Sequence, residues 1–182
     1  MGVAVYGEHH LIRENYIHDL SMVVNDQGPD INWGAIGVVL YASNNEVAYN
    51  RLVRCRHACN GCGIDGGAIE FWGEVNNSYI HHNWAEDSAG FIEVAGGTAY
   101  DTLVAYNVSY NNQYSNDGML GFRLDQGSIP EGSDVRNFHF NNNTVVEIAD
   151  HDWKWKIFRF ANGIPGPDTL LIRNNIFVVK NF

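Results

Sequence analysis

Two sets of side chains in this sequence could do chemistry, and the first is a pair of glutamates. Glu70 and Glu93 occupy equivalent positions in the segments AIEFWG and FIEVAG, which are typical of short strands. If these strands are neighbours in a parallel sheet, about 4.8 Å apart, the carboxyl groups lie roughly 5 Å apart, near the separation that retaining glycosidases use. Arg123 and Arg159 occupy the equivalent positions of two later segments. A charge ladder, in which the arginines neutralise the glutamates, is the favoured alternative to catalysis.

The second set is a column of aromatic residues, Tyr6, Tyr41 and Trp72, at the next outward position of three successive segments. Exposed rings aligned on a flat parallel sheet suit the apolar faces of pyranose sugars, and Tyr and Trp add a polar atom for hydroxyl groups. Long loops folded over the rings would make them ordinary core instead, and the two interpretations weigh equally. The predicted ligand-binding residues are Tyr6, Tyr41, Glu70, Trp72, Glu93, Arg123 and Arg159.

A repeated pair of short elements must position these residues. The first element places an asparagine between apolar residues, and its copies contain Asn15, Asn50, Asn83, Asn107, Asn143 and Asn175. The second precedes it and is a strand of alternating apolar residues, with the inward pairs Val3/Val5, Val38/Leu40, Ile69/Phe71, Ile92/Val94, Phe122/Leu124 and Phe158/Phe160. The asparagines are separated by 35, 33, 24, 36 and 32 residues. These spacings vary too much for a helical repeat, whereas a β-coil tolerates loops of variable length.

Asparagine suits such a coil because it accepts the left-handed backbone of a tight turn, and its amide can both donate and accept hydrogen bonds. The sequence therefore predicts an all-β fold: a right-handed parallel β-helix of about six coils, with an Asn ladder and long loops on one side. We expect a single β-helix domain over residues 1–182. The chain opens and closes in strands without a capping helix, which indicates a module or fragment of a longer chain.

This arrangement resembles the pectate-lyase-like β-helix superfamily, with its three strands per coil and its Asn ladder at the second turn, over nearly the whole chain. The resemblance implies a carbohydrate-active protein whose ligand lies along the sheet that follows the long loops. Many β-helix lyases use Ca²⁺, and Asp65, Glu86 and Asp87 are the candidate ligands here, with a solvated acidic rim as the favoured alternative. The strings Asn-Thr-Asp, Asp-Asp and Gly-His-Gly, expected of a polygalacturonase, do not occur.

Composition restricts the partners. The 21 acidic and 11 basic residues give a net charge of −10, which weighs against nucleic acid and against polyuronates. The sequence contains no run of about 18 apolar residues, which is the length that a membrane-spanning helix requires. The start of the sequence lacks a secretory signal, so an extracellular protein would have to carry its signal elsewhere in the native chain.

The cysteines and a nearby histidine are compatible with either a disulfide or a metal site. Cys55, Cys59 and Cys62 predict one local disulfide with a spare thiol, or a Cys/His metal site if His57 joins them. The paired histidines at 9–10 and 81–82 would lie on opposite faces of a strand, so neither pair chelates a metal by itself.

From these features we predict a non-catalytic carbohydrate-binding module that recognises a plant cell-wall polysaccharide, xylan-like or another β-glycan, along an exposed parallel-sheet groove. The expected module is extracellular, requires no cofactor and is linked to a catalytic domain. The alternative is a polysaccharide lyase or glycoside hydrolase that uses Glu70, Glu93 and Arg123. A structural stacking or adhesin role without a sugar ligand is the third hypothesis.

Overall fold

The computed structural model describes residues 1–21, 34–59, 63–112, 122–124, 134–148, 157–160 and 169–180. Side chains are described for all of these except residues 59, 63, 122–124, 159 and 160. Within these ranges the regular elements are strands, and no helix long and apolar enough to cross a membrane is present.

The strands form three parallel sheets, and each coil of the chain contributes one strand to each sheet. Sheet A contains β1 (Val3–Val5), β4 (Ile36–Leu40), β9 (Gly67–Glu74), β12 (Ile92–Tyr100), β15 (Phe122–Leu124) and β19 (Phe158–Phe160), and β16 (Asp134–Arg136) also pairs with β12. Sheet B contains β2 (Leu11–Arg13), β5 (Glu46–Ala48), β10 (Tyr79–His81), β13 (Leu103–Ala105), β17 (Phe138–Asn141) and β20 (Leu170–Arg173). Sheet C contains β3 (Tyr16–Leu20), β6 (Arg51–Cys55), β11 (Trp84–Glu86), β14 (Val108–Tyr110), β18 (Thr144–Glu147) and β21 (Ile176–Val179).

This architecture confirms the predicted all-β parallel solenoid of stacked coils. A small antiparallel hairpin, β7 (His57–Cys59) with β8 (Gly63–Asp65), interrupts the repeat after the second coil. About four turns have all three strands described together with their side chains, against the six coils predicted. Beyond these turns, each sheet continues in register with two further strands.

The core lies between the three sheets, and the period-two alternation predicts which residues fill it. Val38, Leu40, Ile69, Phe71, Ile92 and Val94 are all buried, as the inward pairs of sheet A require. Val3 and Phe158 are partly buried against the same cluster because they lie near the ends of the stack. The side chains of Phe122, Leu124 and Phe160 lie outside the described part of the chain. Burial of these apolar rows against their neighbours above and below supplies the driving force for stacking.

The predicted Asn ladder is present at the turn between sheets B and C. Each ladder asparagine from Asn50 onward accepts, on its Oδ1, the backbone N–H of the asparagine one coil earlier, at 2.8–3.0 Å. The Nδ2 of the earlier asparagine also donates to the same oxygen. One detail of the prediction is wrong: the residue before each asparagine, and not the asparagine itself, takes the left-handed conformation, with φ of 53–58°. Asparagine is therefore required here for its amide, since its neighbour makes the turn.

Candidate functional site

The predicted aromatic column begins with two stacked tyrosines at the outer edge of sheet A. The ring centroids of Tyr6 and Tyr41 lie 4.5 Å apart and their planes differ by only 9°. Tyr6 is 73% exposed, whereas Tyr41 is half-buried, and this burial raises the pKa of the Tyr41 hydroxyl. Because the two rings cover each other face to face across adjacent coils, one face of each ring is closed to a ligand, and Tyr6 is the more accessible of the two.

Trp72, the third member of the column, lies in the next coil and is oriented by a glutamate. Its indole Nε1–H donates to Oε1 of Glu70, which is only 8% exposed. Val39, the Cα partner of Glu70 in the preceding coil, is fully buried although it lies at an outward position. The central column of sheet A is therefore covered at this level, and Trp72, at 38% exposure, remains accessible beside it.

The charged column of sheet A has the predicted backbone register. Glu70 is the Cα partner of Glu93, Glu93 is the partner of Arg123, and Arg123 is the partner of Arg159. A shift in register after Val94 places Trp72 opposite Gly96, so the aromatic column does not continue to Ala95. The side chains of both arginines lie outside the described residues. Ligand binding, catalysis and charge neutralisation by this column therefore stay predictions.

Two of the three candidate calcium ligands, Asp65 and Glu86, form contacts with other groups of the protein. Asp65 accepts the backbone N–H of Gly66 at 2.8 Å. Glu86 accepts the indole N–H of Trp84 at 3.0 Å and lies 3.4 Å from the guanidinium of Arg51. In the part of the chain that the structure describes, no group of three or more His, Cys, Asp and Glu side chains is arranged to hold a metal ion. Calcium binding at Asp65, Glu86 and Asp87 stays a prediction.

The prediction that His81 and His82 lie on opposite faces is wrong. His81 ends β10, and His82 takes the left-handed turn conformation, with φ of 53°, which breaks the alternation of a strand. Their Nδ1 atoms lie 2.8 Å apart, and Nε2 of the buried His81 lies 3.0 Å from Oε1 of Glu46. The imidazole of His82 stacks between the rings of Tyr49 and Tyr106. The sequence pattern gave no indication of this cluster, because it depends on the turn geometry.

A second group that the sequence interpretation missed lies on the outward face of sheet C. Tyr16 and Trp84 are 55% and 42% exposed there, and each directly follows a ladder asparagine. The position after the ladder asparagine therefore faces outward in sheet C, and it is aromatic in the first and third coils. This signal could have been read from the sequence.

The Cys55 thiol is buried and free, which leaves Cys59 and Cys62 as the remaining pair for a local disulfide. The side chains of those two residues lie outside the described part of the chain, so the disulfide between them and the metal site with His57 both stay predictions. Burial raises the pKa of the Cys55 thiol to about 11, and a hydrogen bond with Ser88 offsets only part of this effect. Thiolate, the reactive form, is therefore scarce near neutral pH.

We expect Cys55 to resist alkylation by iodoacetamide at pH 8 in the folded protein. With a pKa of about 11, only about one thiol in a thousand is ionised at that pH. Peptide mass spectrometry after alkylation in buffer and in urea measures the effect, and Cys55 in urea is its own control. Equal modification in both conditions would contradict the burial of this thiol.

The fold and its surface define the class of this protein as a parallel β-solenoid whose outward faces carry aromatic and charged side chains. Comparison of the chain with protein-family models, with curated proteins and with solved structures found no match.

Proposed function

We propose that this chain is a non-catalytic, extracellular carbohydrate-binding module that takes a plant β-glycan, such as xylan, along the outward edge of sheet A. The observation that carries the proposal is the placement of two accessible aromatic rings, Tyr6 and Trp72, along one edge of one sheet. Aromatic faces bind the apolar faces of pyranose rings, and the Tyr hydroxyl and indole N–H give these side chains a polar end.

Both rings are oriented before any ligand arrives. Tyr6 is supported by the parallel ring of Tyr41, and Trp72 is held by its hydrogen bond to buried Glu70. A ligand then needs to immobilise fewer side-chain rotamers, which reduces the entropy cost of binding. The two rings are separated by two coils, about 10 Å, which suits an extended polymer better than a single sugar.

The charge of the chain favours a neutral glycan. With 21 acidic and 11 basic residues, the protein repels a polyuronate at long range, whereas a neutral polymer meets no such barrier. Xylan-like and other β-glycans of plant cell walls are therefore favoured over pectin.

Substitution of Trp72 by Ala should weaken binding to the neutral polymers about 30-fold, because loss of an aromatic hot spot costs on the order of 2 kcal/mol. Native gels that contain xylan, mixed-linkage glucan or pectin measure the affinity through retardation. We expect retardation of the wild type by a neutral polymer and weaker or no retardation by pectin. Tyr106→Ala is the matched control, since this ring is similarly exposed but lies at the turn between sheets B and C.

Unchanged mobility of the wild type in every neutral polymer would remove the binding proposal. A hydrolase or lyase is the second candidate, because Glu70 and Glu93 are register partners on adjacent strands at about the rung spacing. Release of reducing ends or unsaturated products from any of the polymers, stopped by Glu70→Gln, would replace the non-catalytic proposal with this one.

A further inference from the structure

Outward side chains of sheet C form a column that begins directly after the Asn ladder. Tyr16, Arg51 and Trp84 are Cα partners in three successive coils. Tyr16 and Trp84 are both exposed aromatic residues of the described chain, although both lie in strands that pair with a neighbouring coil. An aligned set of exposed rings on a flat sheet is a feature of binding surfaces.

The column is held together by one carboxylate. Oε2 of Glu86 accepts the indole N–H of Trp84 at 3.0 Å and lies 3.4 Å from Nη2 of Arg51. The guanidinium of Arg51 in turn lies 5.5 Å from the ring centroid of Tyr16. Each of the four side chains therefore restricts the rotamers of another, and the surface is preorganised in the same way as Trp72 with Glu70 on sheet A.

One further ring, that of Tyr110, extends the surface into a fourth coil, and another, that of His18, lies beside Tyr16 in the first coil. Tyr110 lies in the coil after Trp84, with ring centroids 6.5 Å apart and planes 25° apart, and His18 stacks on Tyr16 at 4.2 Å. Four coils correspond to about 14 Å along the solenoid axis. Trp84 nevertheless remains 42% exposed, so its neighbours leave part of the ring free for a ligand.

The chemistry of this column fits a sugar polymer better than a protein partner. Arg51 and Glu86 supply fixed donors and acceptors at the edge of the aromatic surface, where the hydroxyl groups of a ring stacked on Trp84 would lie. A protein interface needs a wider apolar centre, of about 800 Å² on each partner. The outward positions of this surface form only two columns, and its two main rings, Tyr16 and Trp84, are separated by a charged residue.

We infer that sheet C carries a second glycan-binding face, in which a sugar ring lies over Trp84 and its hydroxyl groups meet Arg51 and Glu86. The inference takes from the proposed function only the class of ligand and depends on none of the sheet A residues. Two faces on one solenoid make the module bivalent, so a polymer with many binding sites is crosslinked by it and bound with greater avidity.

Soluble xylan and mixed-linkage β-glucan are the probes for this face. Trp84→Ala and, separately, Arg51→Ala should weaken retardation in native gels about tenfold, and Trp72→Ala combined with Trp84→Ala should abolish it. Wild-type protein mixed with the polymer should become turbid through crosslinking, whereas each single tryptophan variant should stay clear. Thermal unfolding of every variant provides the folding control, and Arg51→Ala keeps the test decisive if Trp84→Ala unfolds.

The outcomes separate this inference from the sheet A proposal. Loss of binding with Trp72→Ala alone, and wild-type retardation with both Trp84→Ala and Arg51→Ala, would overturn the second face and leave the first intact. Loss with Trp84→Ala and Arg51→Ala, and wild-type retardation with Trp72→Ala, would place the ligand on sheet C and overturn the sheet A site. Absence of wild-type retardation in both polymers would overturn both.

Discussion

Replacement of Asn83 by Ala should lower the free energy of unfolding by about 3 kcal/mol, because it leaves several buried polar groups without partners. Asn83 is almost fully buried in the middle of the ladder. Its Oδ1 accepts both the backbone N–H and the Nδ2–H of Asn50 at 3.0 Å. Its Nδ2 donates to the carbonyl oxygen of Val47 at 2.8 Å and to Oδ1 of Asn107 at 3.0 Å. Alanine at position 83 replaces none of these four contacts.

The matched control is Asn15→Ala, at the exposed end of the same ladder. Asn15 donates from Nδ2 to Asn50 and to the carbonyl oxygen of Arg13, but Asn15 itself is exposed, so its amide can exchange these bonds for water. Its loss should therefore cost roughly 1 kcal/mol or less. Urea unfolding followed by circular dichroism measures both variants. Equal losses at the two positions would show that the ladder does not stabilise the solenoid through buried hydrogen bonds.

The repeat itself could be predicted because its signals recur in every coil. Alternation of apolar residues sets the inward positions of sheet A, such as Val38 and Ile69, and the in-register asparagines set the turn between sheets B and C. Both signals are visible in the sequence, since a strand has a period of two and this ladder has an asparagine at each level.

The other turns could not be predicted, because their ladders use a different side chain at each level. The backbone N–H of Cys55 donates to Oγ of Ser88, the N–H of Ser88 donates to Oδ1 of Asn112, and the N–H of Asn112 donates to Oε1 of Glu147. This ladder has the same geometry as the asparagine ladder. It leaves no repeated letter in the sequence, so a search for self-similarity does not find it.

The candidate site on sheet A was predicted in its register but not in its exposure. Alternation placed Glu70 beside Glu93 and Tyr6 in line with Tyr41 and Trp72, which the strand pairing and order support. It could not indicate that Val39 and Glu70 are buried at outward positions, or that Tyr6 and Tyr41 stack on each other. Such contacts depend on which groups cover the face of the sheet and on side-chain rotamers. The alternation of apolar residues carries information on neither.

Among the glycines that the structure describes, Gly97 is the one where a single added methyl group should be most damaging. Its φ of 78° lies in the left-handed region, and a Cβ there would lie 2.0 Å from the carbonyl oxygen of Gly73 in the preceding coil. That neighbour is backbone, so relief requires the third and fourth coils to move apart. Backbone strain and overpacking together should cost about 4 kcal/mol in Gly97→Ala.

Gly67→Ala is the control for this substitution, since the nearest atom to an added Cβ is 3.8 Å away and the backbone is not left-handed. We expect its free energy of unfolding to stay within about 1 kcal/mol of the wild type. Unfolding in urea compares the two variants, and equal stability would contradict the close approach of Gly73 and Gly97. Because Gly73 follows Trp72 in β9, a folded Gly97→Ala protein should also displace that ring and weaken glycan binding through sheet A. Trp84 lies on sheet C, so its contribution to binding should persist in the same variant.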